Sequence, residues 1–477
     1  MTEEMTMAIM TAAEAAALSE GRLTGDPQAE IDGFTVDSRK AVPGSMFVAL
    51  KGENTDGNKY LESAIDNGAS CVLSTREPER GTAIVVEDTL AALQKMAARF
   101  LLRTSPKVYA VTGSVGKTTT KQFVYSVISH GFRTQKTEGN YNSIIGLPLT
   151  VLETKPDTEA LVLEMGMSGL HEIEVMSLIA RPSVGIITNI GTSHMEILGN
   201  RENILRAKLE ITAGMAPGST LILNGDDRML WGVRDMLREK YEVLYYAFIN
   251  QEADYRILDP SFPNGTLCFD LKRPDGTVCR GITAPTIGMH NVYNAAAAYI
   301  CGRISGMSDE QIKQGTASFE NTGMRQKVYK KGGFTILCDC YNAAPESMKA
   351  SMSTLMMLAA DTGGKAHALL GQMMELGDDS AKLHRGVGAA AAELGVDYLY
   401  TYGEAAKEYA SGALIEGMDE DRIVCIDDGE PFETAAKAIA GKAKEGDVIM
   451  FKASRSVGLE GAVEAFEKIV TENENEN

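Results

Sequence analysis

The sequence lacks several features that mark secreted and membrane proteins. Its 477 residues contain seven cysteines, an odd number without a Cys-x-x-Cys pair, which argues against a disulfide framework and a zinc site. No run approaches the roughly 18 apolar residues that a membrane-spanning helix requires. The N-terminus carries glutamates where an export signal would carry basic residues. We therefore expect a cytoplasmic protein that does not insert into membranes.

Basic residues are scarce relative to acidic ones. The chain has 46 lysines and arginines against 65 aspartates and glutamates, a net charge of −19 at pH 7. This excess of negative charge disfavours nonspecific binding to nucleic acid and to anionic membranes. A ligand that carries phosphate must therefore be bound in a local basic pocket.

One segment has the pattern of a phosphate-binding loop. Residues 108–120 read VYAVTGSVGKTTT, an apolar strand followed by a glycine-bracketed turn and a helix start. In such a loop, backbone N–H groups and the helix dipole point at one anion, the lysine reaches the terminal phosphates and the following hydroxyl binds Mg²⁺. Val111 stands where the usual motif has its first glycine. The predicted nucleotide-binding residues are Gly113, Ser114, Val115, Gly116, Lys117, Thr118 and Thr119.

The chain is too long for one core, and roughly three domains are expected from typical domain sizes. Alternating strands and helices predict an α/β protein with a small domain (1–104), a central, mostly parallel domain (105–322) and a doubly wound, Rossmann-like domain (323–477). The polar break at 321–323 is a candidate hinge. The final ENENEN run is expected to be disordered. The predicted strands after residue 104 are 108–111, 161–164, 184–189, 219–223, 335–339, 368–370, 398–402, 423–426 and 448–451.

Three polar residues after the loop are candidate site residues. Glu164 closes an apolar strand, and a carboxylate there is a natural Mg²⁺ ligand, although a solvated strand-end acid explains it as well. His194 follows another strand, where a lone histidine is more often structural. Lys208 lies on a helix predicted over 202–211, where a lysine on a polar face is usually solvated. Each is a weak signal by itself.

Together these segments resemble a known family. TGSVGKTTT, LEMG, TNIGTSHME and RAKLE, in this order and spacing, are similar to the central domain of the Mur ligases, cytoplasmic ATP-dependent enzymes that add amino acids to a UDP-muramoyl precursor. The resemblance implies that Thr118, Glu164 and His194 serve Mg²⁺. It also implies that Lys208 is carbamylated by CO₂ to support a second Mg²⁺, and that Lys117, His194 and Lys208 are catalytic.

The resemblance continues through nearly the whole chain. It implies that Asn291 and Asn294 meet the adenine of ATP, that Arg325 reaches a phosphate and that Asp339 meets the ribose. Asp339 is also compatible with an ordinary helix N-cap or turn acid. The N-terminal domain would bind the UDP part of the acceptor, and the C-terminal domain the incoming amine.

The segment YNAAPESM after Asp339 is similar to the members that add D-alanyl-D-alanine, and the Tyr-Ala-His and Asn-Pro-Arg segments of other members are missing. The implied reaction joins D-alanyl-D-alanine to UDP-N-acetylmuramoyl-tripeptide by an amide bond, through an acyl phosphate, in a protein expected to be a monomer. Ala344 and Ser143 stand where asparagines are usual, so substrate preference could differ. The implied substrate contacts are Ser38, Arg39, Asn140, Tyr141, Asn142, Tyr341, Asn342 and Ser347.

Two other hypotheses remain at this point. The first is a sister ligase, either another amino-acid-adding Mur enzyme or one like folylpolyglutamate synthase, which shares the ATP core but not the UDP-binding front domain. The second is a nucleotide-binding regulatory protein in which the loop acts as a switch. That protein would bind ATP without substrate-dependent turnover.

Overall fold

The computed structural model describes residues 8–52, 54–321 and 325–476. Three large sheets lie in succession along the chain, each rich in parallel pairs and covered by helices. The predicted α/β fold class is confirmed. Across the described ranges, no helix is both long and apolar enough to cross a membrane.

In the described residues, the N-terminal part contains seven strands, five of them in one sheet and two in a separate pair. The strands are β1 (Met10–Thr11), β2 (Arg22–Thr24), β3 (Glu30–Ile31), β4 (Gly33–Thr35), β5 (Ser45–Val48), β6 (Cys71–Ser74) and β7 (Ala83–Val85). The helices are α1 (Ala12–Ser19), α2 (Leu61–Asp66) and α3 (Thr89–Thr104). The five-stranded sheet has the order β2-β7-β6-β5-β4, parallel except for β2 with β7, and β1 pairs with β3 separately. Helix α3 begins at the N-cap Asp88, whose carboxylate accepts the N–H groups of Leu90 and Ala91.

The central part contains a nine-stranded sheet. The strands are β8 (Lys107–Thr112), β9 (Thr134–Lys136), β10 (Ala160–Glu164), β11 (Val184–Ile187), β12 (Thr220–Asn224), β13 (Glu242–Ala247), β14 (Tyr255–Ser261), β15 (Leu267–Lys272) and β16 (Val278–Ala284). The helices are α4 (Lys117–Ile128), α5 (Gly146–Leu152), α6 (Glu172–Ala180), α7 (Met195–Leu198), α8 (Arg201–Leu209), α9 (Arg228–Gly232), α10 (Arg234–Arg238), α11 (Met289–Ile304) and α12 (Asp309–Ala317). The order is β16-β15-β14-β13-β12-β11-β8-β10-β9, with parallel pairs from β9 to β14 and antiparallel pairs from β14 to β16.

The C-terminal part contains a six-stranded sheet. The strands are β17 (Lys327–Lys331), β18 (Phe334–Asp339), β19 (Ala366–Gly371), β20 (Tyr398–Tyr402), β21 (Ile423–Ile426) and β22 (Val448–Lys452). The helices are α13 (Pro345–Thr362), α14 (Ser380–Leu394), α15 (Lys407–Ile415), α16 (Phe432–Ala440) and α17 (Glu460–Glu476). The order is β17-β18-β22-β19-β20-β21, and every pair except β17 with β18 is parallel. Helices α13 to α15 contribute to one apolar core of this sheet, and α16 and α17 contribute to another.

Small and flat side chains allow close packing beside the central sheet. Helix α11 carries four consecutive buried alanines, 295–298, and packs against α4. Phe123 of α4 stacks on Phe319 with ring centroids 3.8 Å apart. The helix that follows the phosphate loop is therefore fixed by apolar contacts over its length.

Two predictions about element limits are wrong, and a third lies outside the described residues. The strand predicted over 184–189 ends at Ile187, because Thr188 and Asn189 turn to bond the phosphate loop. The ENENEN end was expected to be disordered, yet α17 continues to Glu476, because its first turns are anchored in the core and the later residues extend a helix already begun; Asn477 lies outside the described residues. Thr322 and Gly323 of the candidate hinge lie outside the described residues.

Candidate active site

A cavity of about 650 Å³ is lined by residues of both the central and the C-terminal parts. Most predicted site residues line it: Ser114, Val115, Gly116, Lys117, Thr118, Thr119, Asn140, Asn142, Glu164, His194, Asn291, Asn294, Arg325, Asp339, Tyr341, Asn342 and Ser347. Gly113, Lys208, Tyr141, Ser38 and Arg39 are not among its lining residues. The cavity therefore brings together side chains that are more than 200 positions apart in the sequence.

The phosphate loop is shaped by its two glycines and held by the end of β11. Gly113 has φ +141°, and a Cβ there would lie 1.9 Å from Thr188 Oγ1. Gly116 has φ +88° and begins helix α4. Thr188 Oγ1 donates to Val115 O (2.6 Å), and Asn189 Oδ1 accepts the N–H of Val115 (3.0 Å). The loop is thus preformed by neighbouring residues.

Val111 is explained by its place in the sheet. It is a fully buried residue of β8, between β10 and β11, and its carbonyl accepts the N–H of Met165. A glycine here would remove core packing from a central strand. The phosphate turn begins only at Gly113, so the loop is shorter than the usual motif.

Lys117 is directed at its own loop. Its Nζ donates to Gly113 O (2.9 Å) and Ser114 O (3.2 Å). Burial lowers the pKa of Lys117, while the carboxylate of Glu164 acts in the opposite direction. The ammonium lies beside the helix N-terminus, so both attract an anion to the same place.

Glu164, at the end of β10, is hydrogen-bonded to helix α4 and to the segment before α5. Its Oε1 accepts hydrogen bonds from Thr118 Oγ1 (3.1 Å) and Asn142 Nδ2 (2.8 Å). Its Oε2 is buried without a hydrogen bond and lies 3.5 Å from Nζ of Lys121. Lys121 also donates to Thr137 O (2.7 Å).

The oxygens of Thr118 and Glu164 fit a Mg²⁺ ion that completes its shell with water and phosphate oxygens. Mg²⁺ is usually held by one or two protein oxygens together with substrate phosphates. Oε2 of Glu164 makes no hydrogen bond, and the nearby Lys121 ammonium shows that this place already favours a cation. Within the described part of the chain, no group of three or more His, Cys, Asp or Glu side chains forms an all-protein metal site.

His194 connects the central part to the C-terminal part. Its Nδ1 lies 2.8 Å from Oε2 of Glu375, in the loop after β19. This hydrogen bond holds the pKa of Glu375 below its usual range. His194 and Glu375 have φ values of +64° and +63°, an uncommon conformation for residues other than glycine. Such strain persists where the surroundings fix it, often at functional sites.

Lys208 is fully buried, contrary to the usual solvated position of a helix lysine. Its Nζ has no hydrogen-bond partner in the described residues. Burial lowers the pKa of Lys208 well below its ordinary value, and the charge of Lys117 lowers it further. Glu210 and Glu172 act in the opposite direction. A buried amine without a partner is costly and needs an explanation.

Beside the phosphate loop, the predicted nucleoside contacts already form a network. Asn291 Nδ2 donates to Thr286 Oγ1 (2.9 Å) and Ile287 O (2.8 Å), and Asn294 Oδ1 accepts a hydrogen bond from Thr120 Oγ1 (2.9 Å). These amides fix the start of α11 relative to α4. The side chains of Asn291 and Asn294 therefore hold the pocket wall in place, and they also line the pocket where a ligand would bind.

Asp339 ends β18 as a member of a buried ion pair. Its Oδ2 accepts hydrogen bonds from Lys452 Nζ (2.6 Å) and Ser351 Oγ (2.7 Å). Burial alone would raise the pKa of Asp339, but the ammonium of Lys452 outweighs it and the pKa is lowered. Asp339 is therefore part of a buried ion pair as well as the end of a strand, and it lines the cavity as a carboxylate.

Ala344 and Ser143, which stand where the family usually has asparagines, both lie at the start of a helix. Ala344 is the N-cap of α13, and Ser347 Oγ accepts its N–H (3.0 Å) and donates to its carbonyl (2.9 Å). Ser347 therefore bonds the backbone of the N-cap residue, while alanine has no side-chain oxygen to accept an N–H of the first turn as an asparagine would. Ser143 Oγ accepts the N–H of Gly146 (3.2 Å) at the start of α5.

The remaining predicted contacts lie apart from the cavity. Ser38 is buried in the N-terminal part, and Arg39 pairs with Asp37 at 2.8 Å. Tyr141 is 48% exposed. Among the residues that the structure describes, the lining of the cavity around the phosphate loop includes neither Ser38 nor Arg39.

Sequence reasoning missed several residues that build the site. Lys121 supports Glu164, and Thr188 and Asn189 support the loop, but the latter two were noted only within the segment TNIGTSHME. Glu375 and Lys452 lie in GQMMELG (371–377) and KASRS (452–456), which resemble the family only as whole segments. Lys121 had one usable signal, because it lies one helical turn after Lys117. The pairing of Lys452 had no local signal, since its partner Asp339 is 113 positions away.

Comparison with known protein families agrees with this geometry. Three family models match the chain: the "Mur ligase family, catalytic domain" at residues 30–101, the "Mur ligase middle domain" at 111–302 and the "Mur ligase, glutamate ligase domain" at 324–455. UDP-N-acetylmuramoyl-tripeptide--D-alanyl-D-alanine ligase of Bacillus subtilis is 38% identical over 441 residues, which cover 91% of this chain and 93% of that protein. The chain belongs to the Mur ligase family.

Solved structures extend the likeness to the complete Mur ligase fold. MurF from Acinetobacter baumannii superposes with a TM-score of 0.86 at 29% identity, covering 96% of this chain and 98% of that one. MurF from Thermotoga maritima, solved in complex with ADP, has a TM-score of 0.81 at 29% identity and covers 92% and 98%. The predicted ligase family and three-part architecture are confirmed.

Proposed function

We propose that this chain is an ATP-dependent ligase that joins D-alanyl-D-alanine to UDP-N-acetylmuramoyl-tripeptide in peptidoglycan precursor synthesis. The observation that carries this function is one cavity lined by the phosphate loop and by the segment that begins at Tyr341. The loop comes from the central part and Tyr341 from the C-terminal part. Relatives named for this reaction match more than 90% of the chain.

The chemistry follows from the poor reactivity of a carboxylate toward an amine, because oxide would have to leave. Transfer of the γ-phosphoryl group of ATP to the tripeptide carboxylate gives an acyl phosphate and ADP. The amine of the dipeptide then attacks the acyl carbon, and phosphate leaves from the tetrahedral intermediate. Catalysis of this kind depends on positioning and on neutralising charge. Lys117 and Arg325, which both line the cavity, would oppose the charge on the transferred group.

Thr118, Glu164 and His194 are the proposed residues for Mg²⁺. When bound, the ion would neutralise phosphate charge and hold the phosphates in a fixed position. Asn142 and Lys121 orient the carboxylate of Glu164, since one donates to Oε1 and the other lies beside Oε2. Glu375 orients the ring of His194 through Nδ1.

Lys208 is proposed to react with CO₂ and become a carbamate. A neutral amine is the form that attacks CO₂, and burial together with the charge of Lys117 favours that form by lowering its pKa. The nitrogen forms a bond to the carbon of CO₂ and releases one proton, ultimately to solvent, so the product is a carboxylate that can pair with cations in place of an unpaired amine. ¹³C NMR in ¹³C-bicarbonate should show a carbamate signal that is lost in Lys208→Met. Its absence in the wild-type protein with ATP analogue and Mg²⁺ would contradict this role.

We further propose that residues 1–104 bind the UDP part through Ser38 and Arg39, that 105–322 bind ATP and that 323–477 bind the dipeptide. Asn140, Tyr141, Asn142, Tyr341, Asn342 and Ser347 are the proposed contacts to the peptide parts of both substrates. The expected setting is a cytoplasmic monomer.

The deciding experiment measures phosphate release with ATP, Mg²⁺ and the UDP-tripeptide. We expect release with D-alanyl-D-alanine and little release with L-lysine, diaminopimelate or glutamate. Lys117→Ala should abolish it without unfolding the protein, while Lys240→Met, at an exposed lysine, should retain it. Release that depends on another amine would indicate a sister ligase. ATP binding without substrate-dependent release would indicate a regulatory protein.

A further inference from the structure

Two arginines share one aromatic ring at the C-terminal wall of the cavity. The guanidinium carbon of Arg325 lies 3.9 Å from the ring centroid of Tyr341, and that of Arg455 lies 5.0 Å from it. Arg325 follows the central part in the chain, and Arg455 follows β22. The ring therefore gathers two positive charges that are 130 positions apart in sequence.

No acidic partner compensates these charges. In the described residues, no carboxylate oxygen lies within 4.0 Å of a side-chain nitrogen of either arginine. In a chain with 65 acidic residues and a net charge of −19, two guanidiniums that contact one ring and have no carboxylate partner are unusual. Two like charges near one ring favour an anionic ligand that offsets them. Stacking on Tyr341 leaves the N–H groups at the guanidinium edges available to it.

The two arginines differ in what surrounds them. Arg325 lines the cavity and is close enough to Lys117 for its charge to affect that lysine, which places it with the phosphates. Arg455 is exposed and does not line that cavity, although it contacts the ring of Tyr341, which does. It is therefore available for an anion other than the phosphates of ATP.

The backbone near Arg455 is tied to the loop that carries Glu375. Ser454 N–H donates to Gln372 O (3.1 Å), and Met374 N–H donates to Ser454 Oγ (3.0 Å). The loops at the carboxyl ends of β19 and β22 are thus bonded to each other, and Glu375 of the first is already paired with His194. Arg455 of the second is without a carboxylate partner among the described residues, and the incoming dipeptide carries a carboxylate that fits it.

We propose that Arg455, stacked on Tyr341, binds the C-terminal carboxylate of the incoming dipeptide. The inference rests on the proposed function and adds the residue that selects a free carboxylate. Arginine suits this task because its planar fork can donate two parallel hydrogen bonds to a carboxylate. The carboxylate end is then held away from the phosphates, and the amine end is directed toward the acyl phosphate.

The test compares D-alanyl-D-alanine with its C-terminal amide in the full-length enzyme. Loss of one charge-assisted contact should raise the dipeptide KM of Arg455→Met by roughly 10- to 100-fold, with kcat and the KM for ATP changed by less than about twofold. The wild-type enzyme should prefer the acid to the amide by a similar factor. Arg455→Met should use both equally, and Arg455→Lys should keep part of the preference.

The matched control is Arg422→Met, at an exposed arginine that pairs with Asp419 beside β21, and it should leave the preference intact. An Arg455→Met enzyme that still prefers the acid by the wild-type factor would overturn the inference and leave the proposed function standing. A rise in the KM for ATP instead would also overturn it, since Arg455 would then serve phosphate. A wild-type enzyme without dipeptide-dependent phosphate release would refute the proposed function itself.

Discussion

A Lys208→Met variant should be more stable than the wild-type protein in CO₂-free buffer, and the difference should depend on pH. The lysine side chain is fully buried and its amine has no hydrogen-bond partner among the described residues. Methionine is also long and unbranched but apolar, so it can occupy similar space without an unpaired amine.

The expected gain follows from two contributions. An unsatisfied buried polar group costs about 1–3 kcal/mol relative to an apolar replacement. The second contribution is the difference in proton binding between the folded and the unfolded protein. The lowered pKa of Lys208 means that the folded protein releases a proton that the unfolded chain retains up to about pH 10.4. Between those two pKa values the unfolded state binds more protons, so the stability of the wild-type protein rises with pH.

The slope of that rise is at most about 1.4 kcal/mol per pH unit for one proton. The methionine variant lacks this proton, so its advantage over the wild type should be greatest at the lower end of the window. It should shrink as the pH rises and level off above about pH 10.4, where lysine is neutral in both states.

The assay is thermal unfolding of both proteins in degassed buffers between about pH 7 and pH 10. One kcal/mol corresponds to about 2–4 °C in Tm for a unit of 150–250 residues. The exposed Lys240→Met serves as the control and should show no pH-dependent difference from the wild type. A Lys208→Met protein that is less stable throughout, or a difference that does not vary with pH, would refute the reasoning.

Three further changes test other parts of the site. Gly113→Ala should weaken ATP binding by about 5- to 150-fold, equivalent to about 1–3 kcal/mol of strain, because the added Cβ would lie 1.9 Å from Thr188 Oγ1 and φ is +141°; calorimetry measures it. Lys121→Met should destabilise the fold by about 3–5 kcal/mol in denaturant unfolding, because it leaves the buried carboxylate of Glu164 without its cation at 3.5 Å. Phe319→Ala should cost about 3–5 kcal/mol in the same assay, because it removes a buried aromatic stack.

Each of these changes has a control or an outcome that would contradict it. Gly218→Ala also alters a glycine with positive φ, but a Cβ there meets nothing within 4 Å, so ATP affinity should stay unchanged. A double variant with Lys121→Met and Glu164→Gln should recover part of the lost stability, and strict additivity would argue against the ion pair. Phe319→Leu should lose less than Phe319→Ala, and equal losses would argue against a packing effect.

Local patterns identified those parts of the site that lie within one strand, turn or helix start. The run from Val108 to Thr120 carries its own strand, its own glycines and its own helix start, so the loop could be predicted from adjacent residues. Glu164 could be placed at a strand end because an apolar run stops there. Contacts between distant segments, such as Lys452 with Asp339, could not be predicted, because no local pattern records them.

The sequence by itself determined the α/β class, the phosphate loop and the order of family-like segments, because these depend on periodicity and on residues adjacent in the chain. Only the tertiary structure decided that Lys208 is buried without a hydrogen-bond partner in the described residues, that Glu375 pairs with His194 and that Arg325 and Arg455 both contact Tyr341. Burial and charge pairing depend on which surfaces three packed sheets bring together. A lysine on a helix has the same sequence signature whether that face meets water or a core.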